Sequence, residues 1–470
     1  MTRLSTHSFS KVLLCLCGIV FACISHAQDL IIPEPALQSA IARSLGVSEQ
    51  KLSKSLVENK LIRLQANDLG IRDLRGLEHA KNLESLVLRD NLISDLSPIH
   101  GLKKIKNIDL SGNRLTSLSS FSLLESSALR ILNLSRNRLL GLSGIDRFPA
   151  LAQLDVSNNA LIDLEGVRNL KGLVNLYAQG NQLGRVEGFV DRNRNKEFDP
   201  GEPFTDESGN GKRETDPLGE IANLPKLAAL HLYDNRISQL NLLTELPELH
   251  TLLLSGNLIE SVLPLSKLES LKILALGNNR IHTLDGLGEL AKLERLNLSE
   301  NQICDLRILR DLKKLTQLDL NSNLLTDLTE LSNLRNLQTL GLSRNLIRDP
   351  SPVIQIQGLR RLTLSYNQIP SDESNFQDLF REAESRGVYL NVRSQTDFRI
   401  RPHSLVRSLI GHSSSNASLG DYLRLNGYPR LIELFLDPKI KPGDLDAACL
   451  AWEDALKFGK SLSSIPFPGK

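Results

Sequence analysis

The chain has 470 residues, of which 41% are hydrophobic but only 4% aromatic, so a large core must consist of aliphatic side chains. Its formal charge is +2. Removal of residues 1–27, which contain Arg3 and Lys11 but no acidic residue, lowers the charge to 0. Because binding to phosphate backbones needs a basic surplus or a strong basic patch, a neutral chain argues against nucleic acid as the main partner.

The first 27 residues have the features of an export signal. Two basic residues accompany an apolar run at 12–24, which is too short to span a bilayer, and a cleavage site of small residues ends at Ala27. We therefore predict a signal peptide at 1–27, a mature chain that begins at Gln28, and a secreted or periplasmic location. No later stretch is long and apolar enough to predict a transmembrane segment.

Three of the five cysteines lie in this signal, and Cys304 and Cys449 remain in the mature chain. An oxidising compartment would allow them to pair, but the sequence does not show that they lie close together. We expect two thiols that are not bridged and are mostly buried.

Residues 28–60 are predicted to form an N-terminal helical cap. Pro35 opens a helix that carries Leu37, Ile41 and Leu45 on one face, and Gly46 ends it. An open solenoid needs such a cap because its terminal repeats would otherwise expose their apolar faces.

A leucine-rich unit recurs through residues 61–392. One copy reads Leu83-Glu-Ser-Leu86-Val-Leu88-Arg-Asp-Asn91, followed by Ile93 and Leu96. The asparagine recurs at positions 91, 113, 137, 159, 181, 235, 257, 279, 301, 323, 345 and 367. Nine of these eleven steps are 22 residues long, one is 24, and the step from 181 to 235 contains an insertion of 32. A degenerate first copy begins at Leu61 and has Leu69 in place of the asparagine, which gives about thirteen repeats.

The pattern has a direct physical meaning. Leucines at the first, fourth and sixth positions direct alternate side chains of a short strand into a core. The bend after the strand leaves backbone groups buried, and an inward asparagine amide can bond to the backbone of its own turn and the next. We therefore predict an α/β leucine-rich-repeat solenoid, with a curved parallel sheet and helical caps at both ends.

The C-terminal cap is predicted at the end of the repeats. A helix from Ser374 to Arg386 is closed by Gly387, and Val388, Leu390 and Val392 then alternate as in a final strand. Residues 393–470 lack the repeat and are predicted to form a helical module whose role the sequence does not reveal.

The segment IPEPALQSAI, followed by GLEHAKNLESLVLRDNLISDLSPIHGL, resembles the N-terminal cap and repeats of the bacterial internalin-like family. The resemblance covers about residues 30–392. It implies a secreted or surface-bound protein that binds a receptor or another macromolecule.

An acidic insertion at 185–217 interrupts the repeats and fits calcium loops. In the first loop the candidate ligands occupy loop positions one, three, five, seven, nine and twelve: Asp191, Asn193, Asn195, Glu197, Asp199 and Glu202. The second loop offers Asp206, Ser208, Asn210, Lys212 through its carbonyl, and Glu214. Spaced oxygen ligands suit a hard cation, so we predict structural Ca²⁺, with a solvated polar loop as the alternative. The pair also resembles calcium segments found in secreted bacterial proteins.

Strand geometry leaves the third, fifth, seventh and eighth positions of each repeat on one surface, which we call the concave face. Most of these positions hold small polar residues such as Asn107 and Ser111. Aromatic and apolar residues interrupt this pattern at Tyr177, His231, Tyr233, Leu253 and Ile273, with Ala275 beside them. Stripes of this kind are typical of binding hot spots, so we predict that these five residues contact a partner, with a chance distribution as the alternative.

The sequence contains no motif for a catalytic nucleophile, a phosphate loop or a zinc protease. We therefore predict a non-enzymatic, monomeric binding protein that recognises a protein or glycan through the concave face. Two alternatives remain, an effector or enzyme whose activity lies in residues 393–470, and an envelope scaffold.

Overall fold

A computed structural model of the protein describes residues 30–119, 127–184, 190, 192, 202–203, 205, 217–243, 246–370, 374–392 and 395. The chain divides into two compact units, which comprise residues 1–227 and 228–470. The predicted signal peptide, most of the insertion, and residues 393–470 apart from Gln395 lie outside the described residues.

The first unit begins with two short helices, α1 (Pro35–Leu45) and α2 (Lys54–Lys60). Pro35 stands in the first turn of α1, where its missing N–H costs no hydrogen bond, and Gly46 ends the helix with a φ of 67°. Leu37 and Ile41 are fully buried, while Leu45 is half-buried. The predicted N-terminal helix is therefore confirmed, with a slightly narrower apolar face.

Six parallel strands follow α2 in the first unit. They are β1 (Arg63–Gln65), β2 (Ser85–Val87), β3 (Asn107–Asp109), β4 (Ile131–Asn133), β5 (Gln153–Asp155) and β6 (Asn175–Tyr177). Each pairs with the next in sequence order, and equivalent repeat positions lie side by side, as in Leu64 with Leu86. A run of 3₁₀ turns returns the chain between strands, for example at Leu77–His79 and Val167–Asn169.

The second unit contains eight more parallel strands in sequence order. They are β7 (Ala229–His231), β8 (Thr251–Leu253), β9 (Ile273–Ala275), β10 (Arg295–Asn297), β11 (Gln317–Asp319), β12 (Thr339–Gly341), β13 (Arg361–Thr363) and β14 (Tyr389–Asn391). Helix α3 (Ser351–Ile354) replaces one 3₁₀ turn, and α4 (Ser374–Ser385) precedes β14. The predicted fold class, a leucine-rich-repeat solenoid with helical caps, is confirmed.

The core of each repeat is aliphatic, as the low aromatic content requires. In the repeat of β2, Leu83, Leu86 and Leu88 are fully buried and so are Ile93 and Leu96. Each of these leucine or isoleucine side chains contributes about 1.5–3 kcal/mol when it leaves water. The apolar stripe is continued from repeat to repeat, which is why a single unit would not fold alone.

The repeated asparagines form a hydrogen-bond ladder. Asn113 donates through Nδ2 to the carbonyls of Leu88, in the preceding repeat, and Leu110, in its own repeat, both at 2.9 Å. Its Oδ1 accepts the N–H of Ile93 at 3.0 Å. The side chain therefore serves its own turn and the preceding one, and the prediction that it serves the next turn is wrong.

The ladder begins and ends without asparagine in the two terminal repeats. Leu69 stands at the first asparagine position but is 40% exposed, because no earlier repeat needs a side-chain amide there. Its N–H donates to Oδ1 of Asn91 at 3.1 Å. At the other end, Gln395 donates to the carbonyls of Leu364 at 2.9 Å and Val392 at 2.8 Å. Gln395 is therefore a further rung, three residues beyond the predicted end of the solenoid.

Two further predictions from the sequence can be compared with the structure. Cys304 is exposed, so the prediction that it is mostly buried is wrong: it lies in the loop after the ladder asparagine, outside the apolar stripe. In the parts of the chain that the structure describes, no helix has the length and apolar character needed to cross a membrane.

The ladder can be tested by Asn279→Leu. The substitution removes bonds to the carbonyls of Leu254 and Leu276 and from the N–H of Ile259, and leaves these backbone groups buried without partners. We expect a loss of about 3 kcal/mol in the free energy of unfolding, measured by urea denaturation. Asn333→Ala, at an exposed 3₁₀ turn of the same unit, should cost less than about 0.5 kcal/mol. Equal losses of unfolding free energy in the two variants would show that the asparagine side chains do not stabilise the buried backbone groups.

Candidate functional site

The strand register builds the concave face as rows that run across the sheet. In the second unit the third-position row passes through Ile273, Arg295, Gln317, Thr339 and Arg361. The fifth-position row runs beside it. Because adjacent parallel strands lie about 4.8 Å apart, side chains of one row can contact the same ligand.

The predicted partner-binding residues fall into two groups. Tyr177 ends β6 in the first unit and is half-buried. In the second unit His231 pairs with Leu253 on β8, and Ile273 lies on β9 beside them. Tyr233 follows His231 by two residues and occupies the seventh position of the same repeat.

All five predicted residues are half-buried. The structure thus brings His231, Leu253 and Ile273 together on the first three strands of the second unit, with Tyr233 two residues beyond the end of β7. Each of these side chains therefore presents only part of its surface to solvent.

The more exposed apolar side chains of this face are ones that the sequence analysis missed. Ile131 is 39% exposed at the third position of β4, Tyr366 is 48% exposed at an eighth position, and Tyr389 is 55% exposed on β14. The guanidinium of Arg361 stacks over the Tyr389 ring at 4.5 Å from its centroid. Tyr389 escaped notice because 28 residues separate it from its equivalent, Arg361, rather than 22.

A groove of about 390 Å³ lies on the concave face of the second unit. Its side-chain lining comes from strands β9 to β13: Ile273, Ala275, Arg295, Asn297, Gln317, Asp319, Asn321, Thr339, Arg361 and Thr363, with Gly341 in the floor. The groove therefore begins at the apolar end of the predicted stripe and continues over polar and cationic residues.

The floor of this groove contains a partly buried carboxylate. Oδ1 of Asp319 accepts the N–H of Asn321 at 3.0 Å. Burial raises the pKa of Asp319, and the nearby charge of Glu300 raises it further, against the hydrogen bonds from Asn321. A Cβ on Gly341 would lie 2.7 Å from both Asp319 Oδ1 and Asn321 Nδ2, so the glycine provides the space that these side chains occupy.

The same arrangement recurs at other fifth positions. Asp155 and Asn297 accept the N–H of the residue two places on, at 3.0 and 2.9 Å. The following serine hydroxyl, where present, adds a second bond, as from Ser157 to Asp155 at 2.7 Å. The recurring Asp/Asn-x-Ser spacing was a sequence signal of a local turn, and it fixes polar side chains at set positions along the face.

The concave face of the first unit carries ion pairs. Arg89 Nε lies 2.6 Å from Asp109 Oδ2, and Arg136 Nη2 lies 3.1 Å from Asp90 Oδ1. Both arginines are more than half exposed. These pairs neutralise charge on the surface and contribute little stability.

Of the predicted calcium ligands, only Glu202 lies among the described residues. It is 8% exposed, and its Oε1 accepts the N–H of Arg192 at 2.7 Å. The N–H of Val190 donates to the carbonyl of Pro203 at 2.8 Å. Within the described part of the chain no cluster of three metal-binding side chains occurs. The other predicted ligands, Asp191, Asn193, Asn195, Glu197, Asp199, Asp206, Ser208, Asn210, Lys212 and Glu214, lie outside it.

Comparison with known proteins agrees with this architecture. A model of two-copy leucine-rich repeats matches residues 81–123, and a leucine-rich-repeat model matches residues 103–161. No curated protein matches the sequence.

Several solved structures are similar. An internalin (InlF) from Listeria monocytogenes has 26% identity and a TM-score of 0.66, over 78% of this chain and 97% of that one. A leucine-rich-repeat protein of Leptospira interrogans has 25% identity and a TM-score of 0.55, over 70% and 83%. The functional domain of InlJ from Listeria monocytogenes, which includes a cysteine ladder, shares the fold at 18% identity, with a TM-score of 0.50 over 72% and 75%.

The chain thus contains leucine-rich repeats and is structurally similar to Listeria internalins. Leucine-rich-repeat proteins are typically protein-binding scaffolds.

The buried carboxyl of the groove can be tested by pH. A carboxyl whose pKa is raised by folding binds its proton more tightly in the native state, so its ionisation costs stability as the pH rises through the folded pKa. Asp319→Asn keeps the oxygen acceptor, as Asn297 does on β10. We expect the variant to melt above the wild type at pH 7, with the difference shrinking as the pH falls towards the ordinary carboxyl value of 3.8. A difference that grows on acidification would contradict the assigned shift.

Proposed function

We propose that this chain is a secreted, internalin-like, non-enzymatic binding protein that recognises a protein or glycan ligand on its concave face. Three observations support the proposal. They are the structural similarity to a Listeria internalin over 78% of the chain, the apolar stripe, and the groove that continues from it.

The stripe is the observation that carries the proposal. His231, Leu253 and Ala275 form one continuous row across β7, β8 and β9, with Ile273 in the next row and Tyr233 at the seventh position. On β10 and β11 the same positions hold Arg295, Asn297, Gln317 and Asp319. An apolar centre with a polar margin is the arrangement found in protein interfaces, where buried aromatic side chains supply most of the affinity.

The binding role can be tested with the mature protein immobilised as bait. Partners retained by the wild type are identified by mass spectrometry, and the purified partner is then titrated against variants. We expect Tyr233→Ala to lower the affinity at least tenfold, as truncation of an aromatic hot spot does. Leu263→Ala removes a side chain that is 57% exposed on a 3₁₀ turn outside the strands, and should leave the affinity unchanged. Equal affinities of the two variants would place the interface elsewhere.

We further propose that the insertion binds structural calcium. Two hydrogen bonds join the ends of the first loop: Arg192, at loop position two, donates to Glu202 at position twelve, and Val190 donates to Pro203. This closure holds Arg192, which follows the first predicted ligand in the sequence, beside the Glu202 carboxylate that would supply the last one. Glu202 is also nearly buried, and a buried carboxylate favours a compensating cation. Oxygen ligands spaced along such a loop would give Ca²⁺ the six to eight contacts it prefers.

Calcium binding should raise the melting temperature. A ligand that binds only the folded state stabilises it by about 2.7 kcal/mol at a hundredfold excess over its dissociation constant. We expect millimolar Ca²⁺ to raise the melting temperature of the wild type measured in excess chelator, and the double variant Asp191→Ala, Glu202→Ala to lose most of this rise.

Tyr233→Ala serves as the control, because it should weaken partner binding without changing the response to calcium. If chelator and calcium give the same melting temperature in the wild type, the insertion is a solvated polar loop and the metal proposal fails.

A further inference from the structure

Two arginines of the concave groove lie apart from the described carboxylates, whereas several other arginines form ion pairs. Arg89, Arg136, Arg168 and Arg307 each lie within 4 Å of a carboxylate. Arg295 and Arg361 are exposed at the third positions of β10 and β13, and among the described residues neither has a carboxylate within ion-pair distance. Two uncompensated guanidinium groups on one groove point to an anionic ligand.

The strand register fixes the separation of these two charges. Arg295 pairs with Gln317, Gln317 with Thr339, and Thr339 with Arg361, so three strand spacings separate the two arginines. At about 4.8 Å per spacing, their Cα atoms are about 14 Å apart. An extended peptide rises about 3.3–3.4 Å per residue, so two acidic side chains four residues apart are separated by nearly the same distance and point to the same side.

The floor between the arginines suits a peptide backbone better than a continuous polyanion. Asp319 receives an N–H from Asn321 and keeps acceptor capacity, while Gly341 leaves the strand row without a side chain. Asn321 is itself held by the N–H of Ser343 at 2.7 Å. A phosphate or sulfate at the centre of the groove would face the carboxylate of Asp319, whereas a peptide N–H would find an acceptor there.

We propose that this groove binds an extended acidic peptide segment, with two carboxylate side chains four residues apart paired to Arg295 and Arg361. The inference rests on the proposed binding function and specifies the chemistry of the ligand. Arg361 is already oriented by stacking on Tyr389, which reduces the entropy lost when its guanidinium engages a carboxylate. The apolar side chains Ile273 and Ala275 form the other end of the groove and would contact an apolar residue of the same segment.

The test uses the full-length protein and a fluorescent ten-residue peptide of serine and threonine with glutamate at its third and seventh positions. Binding is measured by fluorescence anisotropy at low and high salt. We expect saturable binding that weakens with salt, and that falls at least tenfold when both glutamates are replaced by glutamine or moved to positions three and five. The double variant Arg295→Gln, Arg361→Gln should lower the affinity to the same degree.

Two further variants separate charge from shape. Arg335→Gln removes an exposed arginine outside the groove and should leave the affinity unchanged. Gly341→Ala places a methyl group against Asp319 and Asn321, so it should weaken binding while both arginines remain. Circular dichroism melting curves establish that each variant is folded.

Several outcomes would overturn the proposal. One is equal binding of the glutamate and glutamine peptides by the wild type; another is equal binding by the wild type and the double arginine variant. Tighter binding of heparin than of the peptide, lost in the same double variant, would assign the groove to a polyanion instead. If the peptides fail while Tyr233→Ala still abolishes partner binding, the acidic-peptide inference fails and the proposed binding function stands. If Tyr233→Ala also has no effect, both fail.

Discussion

The structure depends on the hydrogen bonds of one inward asparagine in each repeat between the two terminal ones. A short strand that bends back on itself leaves carbonyl and N–H groups inside a leucine core, where each unpaired group would cost about 1–3 kcal/mol. One amide supplies two donors and an acceptor to two successive repeats, as Asn113 does. The bonds survive a change of repeat length. Asn137 follows its predecessor by 24 residues, yet it still donates to Leu110 at 3.0 Å and accepts from Leu115 at 3.0 Å.

Because the ladder and the leucines fix the backbone, the concave positions can vary without loss of the fold. In the second unit the residues at these positions differ between two neighbouring groups of strands. Its first three strands carry the apolar stripe of His231, Leu253 and Ile273, and the next four carry a groove with Arg295 and Arg361. The recurring Asp/Asn turn anchors polar side chains such as Asp319 between them. The residues that would contact a ligand can thus vary on a scaffold that is stabilised by the asparagine ladder and the buried leucines.

Much of this could be predicted from the sequence, because the repeat encodes both burial and register. The spacing located the ladder, the strands and both helical caps. It failed where a local feature departs from the repeat. Gln395 is a different residue at a spacing of 28 from Asn367, and Leu69 turns outward because no repeat precedes it. The half-burial of Tyr233 and Leu253 could not be predicted either, since the repeat specifies which side chains face outward but not how much of each remains exposed. The pairing of Glu202 with Arg192 likewise depends on how the insertion closes.

The direction of the ladder has a consequence for synthesis. Asparagines of the ladder bond backward, as Asn279 does to Leu254 and Ile259 and Asn301 does to Leu276 and Ile281. A chain that emerges from its N-terminus therefore exposes each bend before the amide that completes it has appeared. The first repeat is covered by α1 and α2. Each later turn, however, forms all of its hydrogen bonds only when the next repeat has been synthesised. During synthesis the newest turn is therefore the one whose buried backbone groups still lack their side-chain amide.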